Sequence, residues 1–268
     1  MRRLIAFPCG DAVLAGSLDV GEGVAAGVLL VIGGSQTRIG SHRMYERLSR
    51  ALSEKGYPCL RYDRRGVGDS SGEDPGFRGS GPDLKAAAEA FRKEVPGLKR
   101  IIGFGLCDGA TAIALYGDAA GLDGLILANP WLVEAEDGAP APAAVRAHYR
   151  KRLLSLEGWK RLLTGAVNFR KLWAGIRRLF SRRKPESLAN DVASALLRHG
   201  LPAEVILCRG DNTAIAADAE IRAWPYAGLI RATQVIETDS HTFARRGDDA
   251  MLLATMEVAL AELSETDA

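Results

Sequence analysis

The strongest chemical signal in the sequence is a cysteine between two glycines, in the segment 105–109 (GLCDG). An apolar run predicts a strand directly before this segment, and the pattern after it predicts a helix. A nucleophile in this context sits on a tight turn, where side chains at Gly105 and Gly109 would clash with neighbouring backbone. The N-terminus of the following helix favours a thiolate and later an oxyanion. We therefore predict that Cys107 is a nucleophile; the alternative is an ordinary strand-to-helix turn with a buried cysteine.

An aspartate and a histidine follow in the order that such a nucleophile needs. Asp211 comes directly after the predicted strand 204–208, and His241 lies between the last predicted strand and the terminal helix. Active sites of open parallel sheets lie at the carboxyl ends of the strands. A neutral imidazole at His241 would take the proton from Cys107, and Asp211 would fix its tautomer. The spacing predicts a Cys-His-Asp triad.

Other roles stay open for these residues. Asp218 and Asp239 are further candidates for the acid, while Asp211 would cap a turn and His241 would lie on a surface loop if no triad forms. His42, in the segment GSHR, is expected near the mouth of the site. A structural role at a helix start is the more common one for such a histidine.

An oxyanion hole needs two backbone N–H donors. The N–H of Asp108, directly after the nucleophile, is one candidate. The other should come from the loop after the third strand, where the sequence reads Gly-Gly-Ser-Gln, and the N–H of Ser35 is our candidate. A Gly-rich turn without catalytic function is the alternative.

Strand and helix patterns alternate along most of the chain. Such alternation indicates an α/β fold with a mostly parallel sheet, here of eight strands, covered by helices on both faces. The first two strands are expected to be antiparallel. Strands are predicted at 4–8, 12–20, 27–32, 57–62, 100–104, 122–127, 204–208 and 233–237, and helices at 42–55, 82–95, 110–116 and 250–263.

Five motifs in order carry a resemblance to a known family: GGSQ, RYDRRGVGDSSG, GLCDG, RGD and DSHTF. Together they resemble the α/β-hydrolase superfamily over nearly the whole chain. More narrowly, GGSQTRIGSHR with GLCDGA and SHTF resembles exosortase A system-associated hydrolase 1, a bacterial group that goes with protein sorting and exopolysaccharide systems. The superfamily usually has serine where Cys107 stands; dienelactone hydrolases and some acyl-CoA thioesterases share the cysteine. The resemblance implies the α/β-hydrolase fold, whereas the fold alone says little about the substrate.

Composition excludes several classes of protein. The chain of 268 residues carries a net charge of only +2, which gives no global signal for nucleic-acid binding. Its four cysteines are widely spaced, without zinc-like pairs, which favours reduced thiols and a cytoplasmic location. The N-terminus is not expected to be a signal peptide, because Pro8, Gly10 and Asp11 interrupt its apolar stretch. No apolar run is long enough for a transmembrane helix. No metal or cofactor motif is present, so we expect no cofactor.

Residues 134–187 interrupt the alternation and are predicted to form a helical cap or lid between two core parts, 1–133 and 188–268. Within this insertion, residues 146–184 hold 13 Lys or Arg and a single acidic residue, Glu157. The expected arrangement packs an apolar helix face over the active site and exposes the basic face. A contact with an anionic membrane surface is the alternative, with peripheral location at the inner membrane. An acidic substrate, such as an acyl-CoA or an anionic glycan, is the third possibility.

From the sequence we therefore expect a hydrolase that acts on a small ester or thioester through an acyl-cysteine intermediate. A thiolate is an intrinsically good nucleophile and suits thioesters and activated esters. Two alternatives stay open: an acyltransferase that uses the same acyl-enzyme, and a non-catalytic accessory or membrane-surface binding protein.

Overall fold

The computed structural model describes residues 1–23, 25–134, 188–224 and 228–264. One sheet contains eight strands in the order β1-β2-β4-β3-β5-β6-β7-β8. The pairs β1–β2 and β2–β4 are antiparallel, and the other pairs are parallel. The predicted α/β-hydrolase architecture, with its mostly parallel sheet, is confirmed. The strands are β1 (Arg2–Cys9), β2 (Ala12–Asp19), β3 (Ala26–Val31), β4 (Cys59–Tyr62), β5 (Arg100–Leu106), β6 (Gly124–Ala128), β7 (Ala203–Cys208) and β8 (Ala232–Ile236).

Six α-helices lie within the described residues. They are α1 (Met44–Glu54), α2 (Gly81–Glu94), α3 (Asp108–Tyr116), α4 (Leu188–His199), α5 (Asn212–Ile221) and α6 (Asp248–Ser264). The predicted helix 42–55 divides into a 3-10 turn at Ser41–Arg43 followed by α1. Two helices, α4 and α5, were not predicted. Helices α1 and α6 contact each other, and α3 packs between α2 and α4.

The central strands explain why the sheet forms. Every residue of β3, β4, β6 and β7 is buried, as expected for parallel strands covered on both faces. Strands β3, β5, β6, β7 and β8 run in one direction, so their carboxyl ends reach the same edge of the sheet. The loops after these strands carry the predicted site residues, and the sheet thus brings them to one edge.

The predicted cap at 134–187 lies outside the described residues, apart from Glu134. The proposed membrane contact of 146–184 therefore stays a prediction. Within the described parts of the chain, no helix combines the length and the apolar character needed to cross a bilayer.

Candidate active site

Cys107 occupies the turn between β5 and α3 in a strained conformation, with φ of 60° and ψ of −124°. A non-glycine residue rarely adopts such angles unless its surroundings hold it there. Here the Cys107 N–H donates to the carbonyl of Ala128 at 3.0 Å, and the Cys107 carbonyl accepts from the N–H groups of Ala110 and Trp131, both at 3.1 Å. The backbone bonds on both sides of the residue fix the side chain at the N-terminus of α3.

The two glycines of the turn are required by close backbone approach. A Cβ on Gly105 would lie 2.5 Å from the nitrogen of Ala110, and a Cβ on Gly109 would lie 2.5 Å from the carbonyl oxygen of Val31. Both distances are too short for any side chain, and the neighbouring atoms are backbone. The turn therefore has the geometry of a nucleophile elbow.

His241 and Asp211 meet beside this turn. The Nδ1 atom of His241 lies 3.0 Å from Oδ2 of Asp211, whose residue is only 8% exposed. The same Oδ2 accepts the N–H of Ala214 at 2.9 Å and so caps the N-terminus of α5. Asp211 thus combines the capping role and the contact with His241, which the sequence presented as alternatives.

The environment of His241 favours its protonated form. Hydrogen bonds with the Asp211 carboxylate and then with Cys107 raise the pKa of His241 to about 10, against burial, which lowers it. The imidazole therefore has the Asp211 carboxylate at its Nδ1 and lines the same cavity as Cys107.

The other two candidate acids lie in different ion pairs. Asp218 pairs with Arg222 at 2.8 Å, one turn along α5. Asp239 pairs with Arg245 at 2.5 Å. Of the three aspartates considered from the sequence, it is Asp211 that contacts His241.

A cavity of about 280 Å³ opens in front of the sulfur. Among the described residues, its apolar wall includes Tyr45, Phe77, Leu106 and Trp131. Its polar part is formed by Cys107, Asp108, His241 and the loop after β3, from which Gly33, Gly34 and Gln36 contribute. Such a lining suits a small organic molecule with an apolar part and one polar reacting group.

Ser35, the predicted second oxyanion donor, is exposed and is absent from the cavity wall. The preceding Gly34 has φ of 62° and turns the chain there. The N–H of Gly34 donates to Oδ1 of Asp108 at 2.6 Å. The structure thus brings Gly34 to the site and leaves Ser35 outside the cavity.

Two further side chains contact the loop that carries His241. Nδ2 of Asn129 lies 3.2 Å from the carbonyl oxygen of His241, and Nε2 of His42 lies 2.8 Å from that of Thr242. His42 belongs to the turn before α1, where the sequence predicted a structural role. Asn129 is not among the site residues predicted from the sequence. Its only sequence signal is an Asn-Pro pair directly after a strand.

Among residues 1–23, 25–134, 188–224 and 228–264, no group of three or more His, Cys, Asp or Glu side chains is arranged to hold a metal ion. The four cysteines are free thiols, and Cys107 is the one that is not buried.

Comparison with known proteins places the chain in a family. Residues 25–202 match the family described as serine aminopeptidase, S33, of the Hydrolase_4 group. No curated protein matches the sequence. Among solved structures, an esterase from Pyrococcus furiosus is similar with a TM-score of 0.66 and 14% identity, over 98% of this chain and 91% of that one.

Two further structures share the fold. An α/β serine hydrolase without a lid, from Xanthomonas campestris, has a TM-score of 0.62 and 15% identity, over 100% of this chain and 97% of that one. Dienelactone hydrolase from Anabaena variabilis has a TM-score of 0.63 and 13% identity, over 98% of this chain and 97% of that one. These identities show a common fold alone. Because the family match covers more than half of the sequence, the chain belongs to the serine aminopeptidase S33 family of α/β-hydrolases.

Proposed function

We propose that this protein hydrolyses a small ester or thioester through an acyl-cysteine intermediate on Cys107. The observation that carries the proposal is the position of His241, whose Nδ1 lies 3.0 Å from the Asp211 carboxylate and which lines the same apolar cavity as Cys107. The strained elbow and the helix N-terminus beneath the sulfur add support. In this proposal Cys107 takes the place of the serine after which the family is named.

Acylation begins from the pair of a thiolate and an imidazolium. The thiolate of Cys107 attacks the carbonyl carbon, so that an S–C bond forms and the carbonyl electron pair moves onto oxygen. Collapse of this intermediate breaks the bond to the leaving alcohol or thiol, which takes the proton of His241. The imidazole is then neutral, and Asp211 holds its Nδ1–H so that Nε2 faces the reacting atoms.

Deacylation uses the same residues, with the proton moving to His241 instead of away from it. The neutral imidazole of His241 removes a proton from water, and the resulting hydroxide oxygen attacks the thioester carbonyl. Loss of the cysteine sulfur releases the carboxylic acid and restores the thiolate beside the imidazolium. No external oxidant, reductant or cofactor enters this cycle.

The oxyanion that forms from the carbonyl oxygen requires hydrogen-bond donors that point at it. The N–H of Asp108 is the first donor in this proposal, since it directly follows the nucleophile. For the second donor the geometry favours Gly34 over Ser35, because Gly34 lines the cavity. The Gly34 N–H is bonded to the Asp108 carboxylate at 2.6 Å, so the substrate oxygen must displace that carboxylate to use it.

The shape and lining of the cavity indicate the class of substrate. Three aromatic rings, those of Tyr45, Phe77 and Trp131, surround a volume of about 280 Å³. This space suits a compact apolar acyl group, with the ester or thioester group at Cys107. The names of two structural neighbours, an esterase and a dienelactone hydrolase, agree with such chemistry.

Intact-mass spectrometry tests the proposal. The protein is incubated with a panel of p-nitrophenyl and CoA acyl esters, beside the variants Cys107→Ala and Cys59→Ala. The second variant removes a buried thiol in β4 and serves as the matched control. We expect an acyl adduct on the wild type and on Cys59→Ala, and none on Cys107→Ala. An equal adduct on all three proteins would overturn the role of Cys107.

Transfer of the acyl group to an acceptor other than water is a second candidate function. The observation that favours it is the cysteine itself, because a thioester intermediate keeps enough group-transfer potential to acylate an amine or a hydroxyl. Adding candidate acceptors, such as a hexosamine or a polysaccharide, to the acylated enzyme separates the two reactions. A transferase forms the acylated acceptor at the expense of the free acid.

The biological setting is proposed from the sequence. The motifs of residues 33–43, 105–110 and 240–243 support a link to an exosortase or exopolysaccharide system, and the free thiols support a cytoplasmic location. The basic segment 146–184 supports peripheral contact with an anionic membrane. Co-sedimentation with anionic and neutral liposomes tests this contact. Binding by Cys107→Ala, together with no turnover by the wild type, would favour the non-catalytic role instead.

A further inference from the structure

We propose that Asn129 is a positioning residue for the reaction: it joins the loops of the nucleophile, the acid and the histidine at one buried point. This inference rests on the proposed function. Asn129 directly follows β6, the strand between β5 and β7 in the sheet. It is fully buried, with 0% exposure, and touches none of the reacting atoms in the mechanism above.

Both polar atoms of the Asn129 side-chain amide form hydrogen bonds. Its Oδ1 accepts the backbone N–H of Cys208 at 2.8 Å, and its Nδ2 donates to the carbonyl oxygen of His241 at 3.2 Å. The same Nδ2 also lies 3.2 Å from the sulfur of Cys208. An amide is the neutral side chain that can accept from one loop and donate to another in this way.

Each contact reaches a different part of the triad. Cys208 ends β7, three positions before Asp211, and the Asp211 N–H donates to the Cys208 carbonyl at 3.1 Å. The carbonyl of Ala128, the residue before Asn129, accepts the N–H of Cys107 at 3.0 Å. The third contact is with His241 itself. Residues 128 and 129 therefore bond directly to two triad residues and to the strand end that leads to the third.

The backbone of Asn129 supports a specific requirement for this residue type. Its φ is 40°, in the left-handed region, which asparagine tolerates better than most residues. Its N–H donates to the carbonyl of Ile206 at 2.9 Å, which ties the turn to β7. A strained conformation persists only where its surroundings hold it, and leaving the hydrogen bonds of a buried polar group unmade is costly.

Three variants separate positioning from general stability. Asn129→Asp keeps the size and the Oδ1 acceptor for Cys208, but it replaces the Nδ2 donor by an oxygen that faces the His241 carbonyl. Asn129→Gly tolerates the positive φ and removes every side-chain bond. Cys208→Ala is the matched control, because it removes the sulfur contact and leaves the bonds to His241 and to the Cys208 N–H.

We expect kcat for a p-nitrophenyl ester to fall about 10- to 100-fold in Asn129→Asp and Asn129→Gly, with KM within about threefold of the wild type, as for a small displacement of a catalytic group. Cys208→Ala should keep the wild-type kcat. Thermal melting identifies any variant that has failed to fold. A folded Asn129→Asp or Asn129→Gly protein with unchanged kcat would overturn the proposal, as would a comparable loss in Cys208→Ala.

A second readout does not depend on any substrate. The chain has only 4 histidines, so the imidazole signals can be assigned by NMR and the His241 titration followed in each variant. We expect the titration of His241 to move from about 10 towards 6.5 in Asn129→Gly as its contacts loosen, and to stay in Cys208→Ala. An unmoved midpoint in folded Asn129→Gly would refute the positioning role. A midpoint that moves in Asn129→Gly, together with a wild type that shows no turnover, would instead refute the proposed function alone.

Discussion

The two functions of Asp211 can be separated by a single pair of substitutions. Its Oδ2 accepts from His241 Nδ1 at 3.0 Å and from the Ala214 N–H at 2.9 Å. Asparagine is as good a helix cap as aspartate, but its amide cannot provide a charged acceptor for an imidazolium. Asp211→Asn therefore removes the charged acceptor of His241 Nδ1 and keeps the cap of α5. Asp211→Ala removes both.

The structure sets the size of each effect. The Asp211 bond is the first cause that raises the pKa of His241 to about 10, so its loss removes most of the preference for the imidazolium. Replacing the acid of a Ser-His-Asp triad by its amide costs about 10⁴-fold in kcat, and we expect about 10³-fold here because sulfur is the better nucleophile. Loss of the cap costs about 1 kcal/mol. In a chain of this size that corresponds to a decrease of about 2–4 °C in Tm.

The assay combines stopped-flow release of p-nitrophenol with thermal melting of the same preparations. Asp211→Asn should lose activity with a Tm close to that of the wild type. Asp211→Ala should lose activity to the same extent and melt at a lower temperature. If Asp211→Asn kept the wild-type rate, Asp211 would be a helix cap alone, and the assignment of the acid would be refuted. Asp239→Asn, which breaks only the pair with Arg245, is the control and should be fully active.

Four further predictions follow from the same geometry. Asp108→Asn weakens the bond to the Gly34 N–H and removes a negative charge near the oxyanion, so kcat for a p-nitrophenyl ester should rise severalfold; a fall would show that the carboxylate is needed to hold the loop. Because the folded-state pKa of His241 is raised, the contribution of its protonated ring to stability is complete below about pH 6.5 and is lost as pH rises through about 10. The urea midpoint of the wild type should therefore fall between these pH values, and that of His241→Gln should fall less. Gly109→Ala forces a Cβ to within 2.5 Å of the Val31 carbonyl oxygen, so we expect a Tm lower by several degrees or insoluble protein on expression. Cys107→Ser, although it restores the usual residue of the family, should lose at least about 100-fold in kcat at pH 7, and steady-state hydrolysis beside the wild type checks this.

Much of the fold follows from local patterns in the sequence. The central strands are continuous apolar runs because both faces of the sheet are covered, and these runs are visible without any tertiary information. The helices α4 and α5 escaped prediction. Helix α5 reads NTAIAADAEI, in which small alanines replace the large apolar residues that mark a helical face. Its best signal is the cap at Asp211, a residue that the sequence predicted as the acid of the triad. In the structure Asp211 both caps α5 and contacts His241.

The site residues also divide into those that the sequence could predict and those that it could not. Cys107 and His241 could be proposed from the sequence because their residue types and order suffice to suggest the chemistry. Asn129 could not, since its importance depends on contacts with residues 79 and 112 positions away. The choice between Ser35 and Gly34 depends on the backbone direction at a single glycine, and a motif does not specify that direction. Sequence patterns thus suggest candidate reacting groups, whereas the residues that would set their distances require the three-dimensional structure.

Under the proposed mechanism, the electrostatics of the site account for a cysteine where the family usually has a serine. A serine nucleophile needs a neutral imidazole that can accept its proton in the attack. Here the bonds to Asp211 and Cys107 raise the pKa of His241 to about 10, so at neutral pH the ring is charged when the sulfur is a thiolate. A thiolate can exist beside an imidazolium at neutral pH, because a thiol is a far stronger acid than a serine hydroxyl. With serine at 107 the imidazolium would have to lose its proton before it could act as a base, whereas the thiolate of the proposed mechanism attacks without that step. The strong support of His241 by Asp211 and the cysteine at 107 are therefore two parts of one arrangement, and changing either alone should cost activity.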